Sequence, residues 1–167
     1  MFPVCRLSSI SKGQAFEHAV LLYLSYLGFF IRSTGGVGDG GIDFRGTWKP
    51  NKAIEPVPVV GQCKALSGKV GVHVIREMEG ILCREEPGTL GAIVSEKGFS
   101  LISRKSCKSS KFPLLLVGFH PSLGGKLSEF WYNDLVQQLV PNLRIGFSFI
   151  KRGTSVTRVV HLIDPKF

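Results

Sequence analysis

Asp43 follows the glycine-dense stretch Gly35, Gly36, Val37, Gly38, Asp39, Gly40, Gly41, and nineteen residues later an apolar run ends in Gln62, Cys63 and Lys64. A carboxylate, an amide oxygen and an ammonium brought to one end of two adjacent strands form a set suited to phosphodiester hydrolysis. Oxygen donors of this kind suit Mg²⁺, which keeps several waters and is commonly held by one or two carboxylates together with substrate phosphate. A lysine beside such an ion can orient or deprotonate the attacking water, while the metal offsets charge growing on the phosphate. Glu17, on the first helical segment, supplies a second carboxylate. Each residue also has a plainer role: Asp43 capping a turn, Lys64 as a solvated strand end, Glu17 at the border of a helix. Their joint spacing favours the shared site.

The elements that must position these groups are legible as periodicities. Residues 11–27 read as a helix, with Phe16, Ala19, Val20, Tyr23, Leu24 and Leu27 at three- and four-residue steps. Ser11 with Gln14 reads as a capping box, and Gly28 as the stop. Glu17 shares a face with Leu21 and Leu24. Strands are predicted at 29–31, 42–45 and 57–64, with a turn about Pro50, giving a β-meander. Alternation places Gln62 and Lys64 on one face of the last strand and Cys63 on the other. A second helix is predicted at 72–86, with Val74, Ile75, Met78, Ile81 and Leu82 inward and Pro87–Gly88 beyond its end. Then follow a strand at 90–94, a helix at 100–109, a strand at 113–119, a helix at 127–139, and strands at 144–150 and 155–163 about a turn at 151–154. This order predicts an α/β fold, a mixed central sheet with helices on its faces.

Composition narrows the class. The chain has 167 residues, 44% hydrophobic and 20% charged, which argues against global disorder and is the length of one domain. The longest apolar stretch, 19–31, is interrupted by Ser25 and Gly28, so no helical membrane span is predicted. A formal charge of +9 attracts polyanions, nucleic acid before membrane. The four cysteines, Cys5, Cys63, Cys83 and Cys107, form no CxxC pair, so neither a zinc site nor a disulfide framework is signalled.

Gly13, Phe16 and Glu17, then Gly38, Asp39, Gly41, Ile42 and Asp43, then Gln62, Cys63 and Lys64, then Val72, Arg76 and Glu77 resemble the Mrr-like branch of the restriction-endonuclease-like PD-(D/E)XK nuclease superfamily. Gly98 and Phe99 after a strand are similar as well, and the resemblance covers about 11–119, leaving 120–167 as a C-terminal extension of a single domain. It implies a core of order αβββαβ and a Mg²⁺-dependent endonuclease acting on DNA, with Mn²⁺ as the alternative ion and RNA as the alternative substrate. Asp43 matches the central metal ligand, Glu17 the helix-borne acid, Gln62 the position where most of the superfamily has a second acid, and Lys64 the catalytic lysine. The carbonyl of Cys63 would complete the metal site, leaving its thiol idle. Asp39 would brace the glycine loop or meet a second ion, and Arg76 would contact phosphate or brace the site. The small single-domain form resembles fungal proteins linked to mitochondrial respiratory growth, and the first sixteen residues hold Arg6 and Lys12 with no acid, which points to mitochondria. Double-strand cutting calls for two active sites, hence a homodimer. The reading from another class is a catalytically silent nucleic-acid-binding or assembly module on the same fold.

Elsewhere, 97–126 carries Lys97, Arg104, Lys105, Lys108, Lys111 and Lys126 and no acid, a candidate phosphate track or a solvated helix face. Gly36, Gly38 and Gly41 lead into a strand rather than a helix, and Gly125–Lys126 lacks the preceding glycine of a P-loop, so no nucleotide cofactor is predicted.

Overall fold

The computed structural model describes residues 9–34, 40–52, 54–120 and 126–163. Its elements run α1 (Ser9–Tyr26), β1 (Phe29–Ser33), β2 (Phe44–Trp48), β3 (Val57–Lys64), α2 (Val72–Leu82), β4 (Leu90–Ser95), α3 (Leu101–Ser109), β5 (Leu114–His120), β6 (Lys126–Tyr132), α4 (Asp134–Leu139), β7 (Arg144–Arg152) and β8 (Ser155–Ile163). All eight strands form one mixed sheet of order β1-β2-β3-β4-β5-β6-β8-β7. β3, β4 and β5 are parallel to one another, and the flanking pairs are antiparallel.

Helices cover both faces. Phe16, Val20 and Leu24 of α1 and Val136 of α4 pack on one face, against Phe44, Trp48, Val59, Leu115 and Val117. Val74, Ile75 and Met78 of α2 and Cys107 of α3 pack on the other, against Val60, Ile93 and Leu116. Strands covered on both sides must be apolar throughout, and every residue of β4 is buried. Two crossings lock β2 into this frame. Trp48 stacks on Phe29 at 4.9 Å and donates to the Leu27 carbonyl at 3.0 Å, and the Phe44 ring lies where a Cβ on Gly61 would be.

Several sequence expectations change. The segment 127–139 is not one helix: it is β6 followed by the short α4, whose N-cap Asn133 accepts from the Val136 N–H at 3.4 Å. The cause of the misreading is a bulge between Gly118 and Phe119 of β5, which leaves Ser128 unpaired and puts Leu127 and Phe130 on the same face three residues apart, a helical spacing. The first helix already includes Ser9, so the Ser11–Gln14 box lies inside it. α2 ends at Leu82, four residues short of the expected limit; the chain then turns, and Glu85 reaches Arg45 of β2 with two hydrogen bonds of 2.8 and 2.7 Å. β2 begins at Phe44, because the residue before it spends its side chain on β3.

Candidate active site

That residue is Asp43. Its N–H donates to the Gly61 carbonyl at 2.8 Å and its carbonyl accepts from the Thr34 N–H at 3.0 Å, so its backbone is held from both sides. Its Oδ2 accepts from the Cys63 N–H at 2.6 Å. A carboxylate replaces a strand carbonyl as partner, which ends the ladder and turns the charge towards the C-terminal end of β3.

Gln62 is 2% exposed. Its Nε2 donates to the Gly41 carbonyl, and its Oε1 is buried with no hydrogen-bond partner. Leaving a buried acceptor unsatisfied costs about 1–3 kcal/mol, so this oxygen calls for an explanation. Gly41 itself has φ of +81°, a conformation glycine adopts without strain, and a Cβ there would lie 2.9 Å from the Gln62 amide nitrogen. The loop glycine thus both aims its carbonyl and makes room for the amide.

Lys64 projects on the same face and pairs with Glu77 of α2 at 3.7 Å. Together with Gln62 and Gly41 they line an open cleft of about 570 Å³, completed by Arg76 and Arg84. Cys63 points the other way, against the α1 layer. Its thiol is pushed well above its ordinary value, first by burial, then by the negative charges of Asp43 and Glu17, with Lys64 acting in the opposite sense. Asp43, bonded to the Cys63 N–H, and Lys64, the last residue of β3, share this strand end.

The donors available fit a hard cation. Among the described residues, no three His, Cys, Asp or Glu side chains gather as a metal cluster. The oxygen donors at this strand end are the Asp43 carboxylate, bound to the Cys63 N–H, and the unsatisfied Oε1 of Gln62; Glu17 of α1 carries a half-buried carboxylate. A thiol held protonated is no competitor for it.

Of the other sequence-predicted residues, Asp39 lies outside the described residues. Arg76 lines the cleft. The cations of α3 stand apart from it, and the acid-free stretch gains acids in three dimensions. Arg104 pairs with Glu129 at 2.8 Å and lies 4.9 Å over the Trp131 ring, and Lys108 pairs with Asp134 at 2.6 Å; Lys97 pairs with its chain neighbour Glu96 at 3.7 Å. Lys105 and Lys111 are exposed. Sequence reasoning missed Arg84; its signal was the four-residue step Arg76, Gly80, Arg84, which repeats on one side of a helix and its following turn.

Comparison with known proteins follows the same outline. The family model Mrr_cat, described as restriction endonuclease, matches residues 8–118. A protein of Schizosaccharomyces pombe named as uncharacterized and mitochondrial is 31% identical over 144 residues, 83% of this chain and 57% of that protein. The chain thus spans little more than half the length of that relative. Among solved structures, the MspJI restriction endonuclease in complex with a 27-mer oligonucleotide is similar over 70% of this chain and 33% of its own, with a TM-score of 0.43 and 19% identity.

Proposed function

The chain belongs to the restriction endonuclease family described by Mrr_cat, and from that premise we propose that it is a divalent-metal-dependent nuclease hydrolysing DNA phosphodiester bonds at the end of β3. The observation that supports this reading is the buried, unsatisfied Oε1 of Gln62 on the strand end where the Asp43 carboxylate is held by the next residue's N–H.

Asp43, Gln62 Oε1 and the Cys63 carbonyl would hold Mg²⁺, or Mn²⁺ in its place, with Glu17 completing the set directly or through water. The ion supplies charge stabilisation on the phosphate and a more acidic bound water. The protein's own residues do the rest. Lys64, steadied by Glu77, positions the attacking water and meets the charge growing on the phosphate oxygens. Arg76 and Arg84 line the cleft through which the DNA backbone passes. Asp39 would brace the glycine loop or meet a second ion. Lys105 and Lys111, with Arg104 and Lys108 once their acids are displaced, form an outer phosphate track. A homodimer places two such sites on a duplex. The S. pombe relative's name supports a mitochondrial location; among the described residues no helix is long and apolar enough to cross a membrane.

The test is cleavage of supercoiled, linear and branched DNA and of an RNA control, with Mg²⁺ or Mn²⁺ against a chelator, for the wild type beside Asp43→Ala and Lys64→Ala. Metal-dependent cutting of DNA lost in both variants is expected. One observation favours a second reading: two acids and an amide make a weaker site than three acids. If all three proteins bind DNA alike and cut nothing, the chain is a binding module on a nuclease fold.

A further inference from the structure

The far end of the sheet carries a surface that the site above does not use. β7 is its outer strand, and Phe147 and Phe149 on it are 57% and 70% exposed. They share a face with Val156 of β8, 62% exposed, and with a pocket of about 210 Å³ between Phe130, Tyr132 and Phe147, at whose rim stands Trp131. Exposed aromatic rings on an edge strand are an aggregation liability unless something covers them.

Charge identifies what does. From 144 to 163 the chain carries Arg144, Lys151, Arg152 and Arg158 and no acid. Arg144 and Lys151 are exposed at the two ends of β7, and Arg158 stands opposite Phe149 in register. A second copy docked edge to edge would set these like charges against each other. A polyanion with flat apolar faces satisfies both features, since bases stack on aromatic rings while cations meet phosphates. Duplex DNA hides its base faces, whereas a single strand offers them.

Register sets this surface apart from the cleft. Lys64 pairs with Ser95, Ser95 with Gly118 and Gly118 with Glu129; the next row runs Phe119, Leu127, Val160, Phe147. Phe147 is therefore one row from Lys64, and since side chains alternate it projects from the opposite face of the sheet, the α1 face, five strand spacings or about 24 Å away.

We infer that the β7–β8 face, through Phe147, Phe149 and the aromatic pocket beside them, binds single-stranded DNA. The choice of DNA rests on the nuclease reading; the stacking surface does not. Binding is read in the Asp43→Ala protein with chelator present, so that cleavage plays no part. The probe is a fluorescent oligothymidine strand, beside a duplex and an oligouridine of equal length. Trp48 is fully buried, so a change in intrinsic emission on binding reports Trp131. The single strand is expected to quench that emission. The Phe147→Ala/Phe149→Ala double variant, both positions being exposed, should keep its melting temperature, weaken single-strand binding at least about tenfold and leave duplex binding unchanged. Unchanged single-strand affinity overturns the inference. So does a drop in oligomeric state by light scattering, which would assign the face to a second copy, or tighter binding of oligouridine. Failure of the wild type to cut DNA would refute the nuclease reading while leaving the binding result standing.

Discussion

The carboxylate of Asp43 and the backbone N–H of Cys63 meet at 2.6 Å across the gap between β2 and β3. One carboxylate oxygen is thereby spent on architecture, and the charge is fixed in place before any ligand arrives. Asp43→Ala should lower stability by about 1–3 kcal/mol, because the half-buried N–H loses its acceptor. Asp43→Asn keeps an acceptor oxygen and should cost less than half as much, yet cleavage should fall at least about 100-fold in both. Thermal melts beside cleavage rates test the pair; equal melting losses would deny the hydrogen bond its structural share.

Gln62→Glu replaces a donor with an acceptor against the Gly41 carbonyl. Without divalent ions the variant should be about 1–3 kcal/mol less stable than wild type. With Mg²⁺ it should recover most of that loss, and by more than wild type gains, because a third acid strengthens the oxygen set. Melting curves with and without Mg²⁺ read both effects. A variant indifferent to the ion would place the metal elsewhere.

Arg45 and Glu85 tie β2 to the turn after α2. The hydrogen-bonded guanidinium holds the Glu85 carboxyl below its ordinary value of 4.5 and is itself raised. A depressed acid stabilises the fold at pH above its unfolded value, and that contribution is lost as pH falls through the lower folded value. Since Arg45 is 39% exposed, solvent limits the effect to under about 1 kcal/mol. Glu85→Gln should therefore melt lower than wild type at pH 7, with the gap closing below pH 4. A gap independent of pH would reject the assignment.

Thiol chemistry separates the described cysteines. Cys83 is exposed, whereas burial pushes the Cys107 thiol up to about 12 and holds the Cys63 thiol well above its ordinary value. At pH 8, iodoacetamide should modify Cys83 first, with Cys63 and Cys107 labelled only on unfolding. Peptide mass spectrometry gives the order, and early labelling of Cys63 would mean that the strand end opens in the native protein.

Much of this was legible in the sequence where local pattern and tertiary role agree. β3 runs over the expected residues because its alternation and apolar run point to the same strand, and β8 does so because Gly153 marks the hairpin turn. That Asp43 would meet the end of β3 beside Gln62 and Lys64 was legible from spacing, as strand pairing converts separation along the chain into adjacency. What stayed hidden depends on partners far away in sequence. The bulge that disguises β6 is a property of its pairing with β5, and the acids that meet Arg104 and Lys108 come from β6 and α4. The hydrogen bond from the Gln62 side chain to Gly41, and the oxygen it leaves unsatisfied, depend on the side-chain rotamer, which no sequence pattern encodes.

The strand order has a consequence for how the protein is made. From β1 to β6 each strand lies beside the one synthesised just before it, and only the last two exchange places. A chain emerging from the ribosome can therefore lay down its sheet in sequence, with the helical crossovers α2 and α3 as the longest connections before β6. Glu17, Asp43, Gln62 and Lys64 all precede β4, so the charged strand end exists as chain before the strand that backs it. Its assembly waits for the α2 crossover, and a translation arrest between the two would leave the acids in a half-built sheet with an open parallel edge.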